Sequence, residues 1–383
     1  MRLPLQALFA NFGNSTNQLF LTPIMSLRNE QMAGRLSGVK EIARRANVSI
    51  ATVDRVIHNR KGVSETTRQK INEIIQEIGF QPNILASRLA SKKTNRFAVL
   101  IPDARETDYW KASLDGIERA YQEIKQYGVF LDRYLFDLND KSTFVKYVND
   151  MLKGSYDGVV MAPSFIEEAA SFASACADRQ IPYVFINSDV PNRDSLTYIG
   201  PHLYQSGYQA GQLIRFGLKQ GKVLIVNISK EIDAYHHLLR KEEGFRQYME
   251  NTNTPEAPIR VEKIDITNTT DEAIQDALDT FLKEHTDIDA FFVTNSRVKS
   301  VAKYLRNTAR QHRILIGYDL SEENIEYLKD GTIDFLIGQK PEEQGYLGVM
   351  SLFQHVVADK KIAKEQYMPI DIITKENFEF YKN

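Results

Sequence analysis

The spacing of hydrophobic residues changes near residue 95, and before that point it is typical of short helices. Four apolar residues fall on one helical face at i, i+3, i+4 and i+7: Val39, Ile42, Ala43 and Ala46. This spacing predicts a helix from Val39 to Ala46. Asn47 follows it, and asparagine tolerates the left-handed backbone that a sharp turn requires. We therefore expect the chain to turn at Asn47.

A second short helix is predicted from Ile50 to about His58. Ser49 stands where its hydroxyl can cap the first turn. Val53, Val56 and Ile57 form the apolar inner face of this helix. The remaining positions are expected to point outward or toward the turn: Ile50, Ala51, Thr52, Asp54, Arg55 and Asn59.

A third helix follows in the stretch "VSETTRQKINEIIQEIGF". Ser64 is its predicted cap, Gly79 its predicted end, and its core face carries four isoleucines: Ile71, Ile74, Ile75 and Ile78. Two short helices joined by a tight turn form a helix-turn-helix, whose second helix fits a major groove about 12 Å wide. We therefore predict an all-α headpiece over residues 37–80. A generic three-helix module is the alternative that the pattern leaves open.

From Arg96 onward, short β-rich runs alternate with segments of helical length. Nine such runs are predicted strands: "RFAVLIPD", "VFLDRYLF", "GVVMAPS", "YVFINSD", "TYIG", "GKVLIVNIS", "AFFVTN", "ILIGYD" and "IDFLIGQ". This alternation favours parallel sheets with helical crossovers. The runs divide near residues 202–220 into two similar halves, which predicts two Rossmann-like lobes. Ligands of such sheets bind at the carboxyl ends of the strands, so we expect a cleft between the lobes.

Charge is distributed unevenly along a chain whose formal net charge is −2. Residues 37–95 carry 11 Lys and Arg against 5 Asp and Glu, whereas residues 96–383 carry 34 against 44. A basic front and an acidic remainder indicate that the front binds a polyanion, although basic helices are also common on solvated surfaces.

Other features of the composition bear on location. Cys176 is the only cysteine, so no intramolecular disulfide can form, which fits a reducing, cytoplasmic location of the bacterial type. No run of 18 apolar residues exists, so no membrane association is expected. We interpret residues 1–36 as a disordered leader or as sequence upstream of the true start, since Met25 and Met32 could each begin the chain.

The front of the chain resembles the headpiece and hinge of the LacI/GalR-type (lactose and galactose repressor) family. The family's V-S-x-x-T-V-x-R-V motif matches Val48 to Val56, and its P-N-x-x-A-x-x-L hinge pattern lies within residues 81–95. The resemblance implies a homodimer on a pseudo-palindromic double-stranded DNA operator, with a short hinge helix from Pro82 to Ala90 that orders on binding. It implies these DNA-binding residues: Ser49, Ile50, Ala51, Thr52, Arg55, Asn59, Asn83, Ala86 and Leu89.

Two of these positions depart from the family pattern. The family has polar or aromatic base-reading residues after the cap serine, where this chain has Ile50 and Ala51, which could contact a thymine methyl. Arg55 matches the family's arginine and could read guanine. Asp54 replaces a usual serine and would repel phosphate if it faced the DNA backbone. The resemblance therefore indicates how the headpiece docks but leaves the operator sequence open.

Residues 96–383 resemble the type I periplasmic-binding-protein fold, which is the effector-binding and dimerisation part of the same family. The resemblance is sharpest in "VTNSRVKSVAKYL" and "LIGYDLSEENIEYLKDGTIDFLIGQKPEEQGYLG". It implies a carbohydrate-like effector bound by Tyr109, Trp110, Asn187, Asp189, Arg240, Asn295, Asp319 and Gln339. The arginine is a departure, because aligning the turn at 243–245 puts Leu239 where the family commonly has Arg, one residue before Arg240. Either the loop is shifted or the ligand is not a typical neutral sugar.

The leading hypothesis is a DNA-binding transcriptional regulator, most simply a repressor, whose operator affinity is controlled by a small sugar-like effector. The alternative is a sugar receptor whose front helices do not bind DNA. An α/β enzyme is the third reading, but G-x-S-x-G, the P-loop and strand-linked G-x-G-x-x-G motifs are missing from the sequence. We therefore expect no catalytic residues, no cofactor and no metal.

Overall fold

A computed structural model describes residues 38–57, 60–80, 93–105, 107–230, 236–308 and 313–381. The chain divides at residue 86 into two compact units. Residues 1–36, which we interpret as a leader, and the predicted hinge helix from 82 to 90 lie outside the described residues.

The front unit is a three-helix headpiece: α1 spans 38–46, α2 Ile50–Ile57 and α3 Glu65–Glu77. Asn47 adopts a φ of 58° between the first two helices, as its position predicts. The Thr67 backbone N–H donates to Ser64 Oγ at 3.3 Å and caps α3, and Gly79 takes a φ of 61° just beyond its end. The core consists of the expected apolar residues: Ile42, Ala43, Ala46, Val53, Val56, Ile71 and Ile74.

The first lobe of the rear unit is built on a six-stranded parallel sheet in the order β11-β5-β4-β3-β1-β2. Its strands are β1 Asn95–Pro102, β2 Val129–Phe136, β3 Gly158–Met161, β4 Tyr183–Ile186, β5 Thr197–Pro201 and β11 Glu365–Met368. Its helices are α4 Asp108–Ile124, α5 Lys141–Lys153, α6 Ile166–Asp178 and α12 Pro341–Leu352. One apolar core lies on each face, α4 and α12 covering one and α5 and α6 the other.

The second lobe repeats this arrangement in the order β12-β10-β9-β8-β6-β7. Its strands are β6 Gly221–Ile228, β7 Ile259–Ile266, β8 Ala290–Val293, β9 Ile314–Tyr318, β10 Phe335–Gly338 and β12 Asp371–Ile373. Its helices are α7 Leu203–Gly217, α8 His236–Thr252, α9 Asp271–Glu284, α10 Val298–Asn307 and α11 Glu322–Lys329. The helices α7 and α8 cover one face, and α9 to α11 cover the other.

The prediction of two doubly wound lobes is confirmed, but the strand inventory was wrong in three places. The described residues contain twelve strands rather than nine, since β7, β11 and β12 were not predicted. In β7 a charged residue follows almost every apolar one, because this edge strand is half-exposed. The strand β11 is largely exposed, and β12 has three residues and pairs antiparallel to β10. None of the three presents the continuous apolar run that identified the other strands.

The lobes also differ from the predicted consecutive halves, because late segments return to the first lobe. The strand β11 pairs with β5, and α12 packs on α4, although both lie beyond most of the second lobe in sequence. The chain therefore crosses between the lobes three times: after β5, between β10 and α12, and between β11 and β12.

In each lobe one pair of helices meets at glycines. A Cβ on Gly207 of α7 would lie 1.8 Å from the Lys241 carbonyl oxygen, and a Cβ on Gly244 of α8 would lie 1.9 Å from the Tyr204 carbonyl oxygen. Gly116 and Gly345 make the equivalent contact between α4 and α12 in the first lobe. Only glycine permits these helix backbones to approach so closely.

Candidate ligand-binding cleft and nucleic-acid interface

A cleft of about 770 Å³, part of which is open to solvent, lies where the carboxyl ends of the strands of both sheets face each other. Both lobes contribute polar and aromatic side chains to its wall: Thr107, Tyr109, Trp110, Asn187, Lys241, Asn295, Arg297, Asp319 and Gln339. Six of the eight predicted ligand-binding residues therefore lie in one cleft.

Two aromatic residues form the first-lobe wall of the cleft. Tyr109 and Trp110 lie in the first turn of α4, with ring centroids 4.9 Å apart and ring planes at 78°. Both are more than nine-tenths buried. The Tyr109 hydroxyl accepts a hydrogen bond from Asn187 Nδ2 at 2.7 Å, which fixes the ring. Such a wall can stack on the C–H face of a sugar.

Gln344 connects this wall to the second lobe and was not predicted from the sequence. Its Oε1 accepts from the Asn187 backbone N–H at 2.9 Å and from the Tyr109 hydroxyl at 3.3 Å. Its Nε2 donates to the Gln339 carbonyl oxygen at 2.6 Å. Gln344 lies in the first turn of α12 rather than at a strand end, and the family resemblance did not imply it.

Asp319 and Gln339 form the second-lobe wall of the cleft. Gln339 Nε2 donates to both Asp319 carboxylate oxygens, at 2.8 and 3.0 Å. Burial raises the pKa of Asp319, against the opposing effects of Lys241 and the Gln339 hydrogen bond. The Asn295 Nδ2 donates to the Ile228 carbonyl oxygen at 2.7 Å, which orients that amide.

Lys241 is the second functional residue that the sequence analysis missed. Its side chain is 1% exposed, and its ammonium donates to the Thr294 carbonyl oxygen at 3.2 Å. The nitrogen lies 3.6 Å from the centroid of the Tyr318 ring. Burial lowers the pKa of Lys241, although the Asp319 charge opposes this shift. The cleft thus holds a buried cation beside a buried carboxylate.

Two predicted ligand residues lie elsewhere. Asp189 and Arg240 line a separate, shallower depression together with His202 and Tyr367. Arg240 forms an ion pair with Glu243, and its guanidinium lies 5.5 Å from the centroid of the Tyr204 ring. Successive residues of a helix point about 100° apart, so α8 directs Lys241 into the cleft and Arg240 away from it. Arg240, the predicted ligand residue, therefore lies outside the cleft that Lys241 lines.

The headpiece presents α2 much as predicted. Ile50 is 50% exposed, and Ala51 and Arg55 are also exposed, whereas Thr52 is half-buried. The Thr52 backbone N–H donates to Ser49 Oγ at 3.1 Å, so Ser49 caps α2. Four further candidates lie outside the described residues: Asn59, Asn83, Ala86 and Leu89.

Asp54, the acidic departure in the headpiece, is also half-buried. Its carboxylate pairs with Arg60 at 3.0 Å, on a surface where both side chains are substantially exposed. This pairing offsets part of the negative charge that would otherwise repel phosphate.

A helix-turn-helix headpiece and a two-lobed domain with a polar interlobe cleft define a class of ligand-responsive regulatory protein. Residues 38–83 match the family described as "Bacterial regulatory proteins, lacI family", and residues 97–361 match the family described as "Periplasmic binding protein domain". The second match alone covers more than half of the chain. The chain therefore belongs to the periplasmic-binding-protein domain family, and its headpiece is that of the lacI family of bacterial regulatory proteins.

Individual relatives agree with this assignment. HTH-type transcriptional regulator DegA of Bacillus subtilis is 28% identical over 219 residues, 57% of this chain and 62% of DegA. A protein described as a LacI transcriptional regulator from Bacteroides fragilis has a similar structure (TM-score 0.70), with 30% identity over 76% of this chain and 100% of that one. GanP, a glucose-galactose binding protein from Geobacillus stearothermophilus, gives a TM-score of 0.67 at 25% identity over 75% and 99%. The chain spans 38% to 62% of the length of the curated relatives it matches.

The described residues were also searched for two other kinds of feature. Within them, no helix is both long and apolar enough to cross a membrane. The same residues contain no group of three or more His, Cys, Asp or Glu side chains that could hold a metal ion.

Proposed function

We propose that the protein is an effector-controlled transcriptional regulator, most simply a repressor, that binds a pseudo-palindromic operator as a cytoplasmic homodimer. The observation that carries the proposal is a cleft whose polar side chains come from both lobes, in a chain that also has an exposed recognition helix. Similarity to DegA, whose name describes it as a transcriptional regulator, supports the same function.

The cleft is proposed to bind a carbohydrate-like effector. Carboxylate and amide groups of Asp319, Gln339 and Asn187 suit hydroxyls, and Trp110 suits the apolar face of a sugar ring. The fold shared with a glucose-galactose binding protein supports this ligand class. We assign the cleft binding rather than catalysis, because its carboxylate is held by Gln339 and its family consists of regulators.

The effector acts, in this proposal, by favouring one arrangement of the lobes over another. Ligand groups bound between the lobes stabilise the arrangement in which both walls are in contact with them. Gln344 makes hydrogen bonds to both walls of the cleft, so a movement of one wall relative to the other is transmitted to α12. A coupling of about 1–3 kcal/mol between effector and operator would be typical. Induction and corepression use the same residues.

Selection from a pool of random duplexes tests the proposal. We expect the full chain to enrich an inverted repeat, and the logarithm of its affinity to fall linearly with the logarithm of salt concentration. Recovery of unrelated sequences with no salt dependence would instead favour the sugar receptor without DNA binding. The single tryptophan allows the ligand side to be tested in parallel, since Trp110 fluorescence should report binding of a sugar in the cleft.

A further inference from the structure

We infer that the effector is an acidic sugar, which carries one carboxylate beside its hydroxyls, and that Lys241 receives the carboxylate. The inference rests on the proposed function of the cleft as an effector site, and it narrows the class of ligand. Lys241 thereby becomes the specificity-determining residue of the cleft.

The first step is the state of the Lys241 ammonium. It has three N–H groups, and the only hydrogen bond that it makes to a described residue runs to the Thr294 carbonyl oxygen. Its other close neighbour is the face of the Tyr318 ring at 3.6 Å. The side chain is 1% exposed, so solvent does little to compensate the charge. A buried ammonium with unfilled donors is costly unless an anion completes its shell.

The second step is that Asp319 does not complete that shell. Both Asp319 oxygens accept hydrogen bonds from Gln339 Nε2. Its charge acts on Lys241 through space, and among the ion pairs of the described residues none joins the two groups within 4.0 Å. The Asp319 carboxylate retains lone pairs for ligand hydroxyls.

The third step is an unpaired acceptor next to this carboxylate. Gln339 Oε1 is buried and has no hydrogen-bond partner among the described residues. A ligand hydroxyl would satisfy it, since an unpaired buried acceptor costs about 1–3 kcal/mol. The cleft thus offers acceptors for hydroxyls at Asp319 and Gln339, and donors for an anion at Lys241.

The charges of the cleft lining point the same way. Among the described residues that line the cleft, Lys230, Lys241 and Arg297 are basic and Asp319 is acidic. A neutral sugar would leave the buried charge of Lys241 without a counter-ion in contact, whereas a ligand carboxylate would supply one. A phosphate usually takes several convergent donors or a bidentate arginine, and the fully buried cation here is a single lysine.

Calorimetric titration of the full-length protein with matched sugars tests the inference. The pairs are D-glucuronate with D-glucose, D-galacturonate with D-galactose, and D-gluconate with D-glucitol, and D-glucose 6-phosphate forms a separate arm. We expect at least one acid to bind about tenfold or more tightly than its neutral partner. Equal or tighter binding of every neutral partner, preference for the phosphate, or no binding of any acid would overturn it.

Substitution of Lys241 makes the test specific to this residue. We expect K241M to lose the preference for the acid by about tenfold or more, and K241R to retain it. R240M is the matched control, because Arg240 is the neighbouring cation and lies outside the cleft. Circular dichroism of each variant reports folding. Retention of the acid preference by a folded K241M would overturn the assignment. If the protein bound the acid but selected no operator, the result would contradict the proposed function and leave the present inference standing.

Discussion

Asn187 and Asp319 are equivalent residues of the two lobes. Each directly follows the fourth strand of its sheet, and they adopt φ values of 71° and 66°. Asparagine and aspartate are the residues that most readily take this left-handed backbone, apart from glycine. The turn at each strand end therefore favours the same residue types that suit the proposed binding of hydroxyls.

Replacing Asp319 by Asn should weaken effector binding and leave operator affinity unchanged. The carboxylate is the strongest acceptor in the cleft, and hydrogen bonds to a charged group contribute about 1.5–3 kcal/mol. Trp110 fluorescence measures effector binding, and gel shift measures operator binding. D330N, at an exposed aspartate beyond α11, is the control. If D319N bound the effector as tightly as the wild type, Asp319 would not be a ligand-binding residue.

The affinity for an acidic sugar should fall as pH rises above about 8. Burial lowers the pKa of Lys241 to about 8, so the ligand-free protein loses this proton as pH rises through that value. The bound carboxylate favours the protonated form and raises the pKa, so binding then requires proton uptake. Burial raises the pKa of Asp319, which faces the same ammonium, and the Lys241 charge opposes that shift.

Titrating the protein with D-galacturonate from about pH 7 to about pH 9 measures this dependence. The other titratable residues of the described lining are Lys230, His237 and Arg297. D-galactose is the uncharged control, and an equally flat profile for both sugars would contradict the prediction.

Replacing Arg55 by Ala should reduce specific operator affinity by about 1–3 kcal/mol if its guanidinium reads a base edge. The side chain is exposed on α2, the helix expected to enter the major groove. R44A is the control, because Arg44 is an exposed arginine of α1 that already pairs with Glu41. Binding is compared across a set of operator variants. A uniform loss over all sequences would reassign Arg55 to a phosphate contact.

At the scale of elements, the glycine contact between α7 and α8 positions the site. The helix α8 carries Lys241, whose backbone carbonyl lies where a side chain on Gly207 would begin. The close approach of the two helices therefore sets how far the ammonium reaches into the cleft.

Replacing Gly244 by Ala should push α8 away from α7, because the new Cβ would lie 1.9 Å from the Tyr204 carbonyl oxygen. We expect a loss of about 1–3 kcal/mol in the free energy of unfolding, as for other overpacked sites. Acid binding should weaken at the same time, since Lys241 moves with α8. E250A, at an exposed position of α8, is the control for the urea titration. Wild-type stability and binding in G244A would contradict the close packing.

The sequence predicts the elements best where one physical signal dominates. Continuous apolar runs predicted the strands in the centre of each sheet, and the family resemblance implied Asn187, Asn295, Asp319 and Gln339 at the residues that follow four of them. Edge strands such as β7 were not predicted, because half of each is exposed and the apolar run is interrupted. Lys241 and Gln344 were not predicted, because both lie within helices. Whether a helical residue faces the cleft depends on the angle of the helix and not on a local sequence pattern.

At the scale of the whole molecule, the interleaved lobes should unfold together. Each lobe receives one of its strands from the segment after α12, so neither sheet is complete without it. We expect one cooperative urea transition for both lobes. Trp110 reports on the first lobe, and the double variant W110F/F378W reports on the second, since Phe378 packs against its core. Coincident midpoints would agree with a single unit, and separated midpoints would contradict it.

The three crossings also affect the order in which the protein can be made. The first lobe is synthesised early, but α12 and β11, which complete its sheet and cover one face, belong to residues 341–368. During translation the first five strands leave the ribosome with the β5 edge unpaired and with the face under α12 uncovered. Such a nascent chain exposes apolar surface until residues 341–368 have been synthesised, and it is then a natural substrate for chaperones.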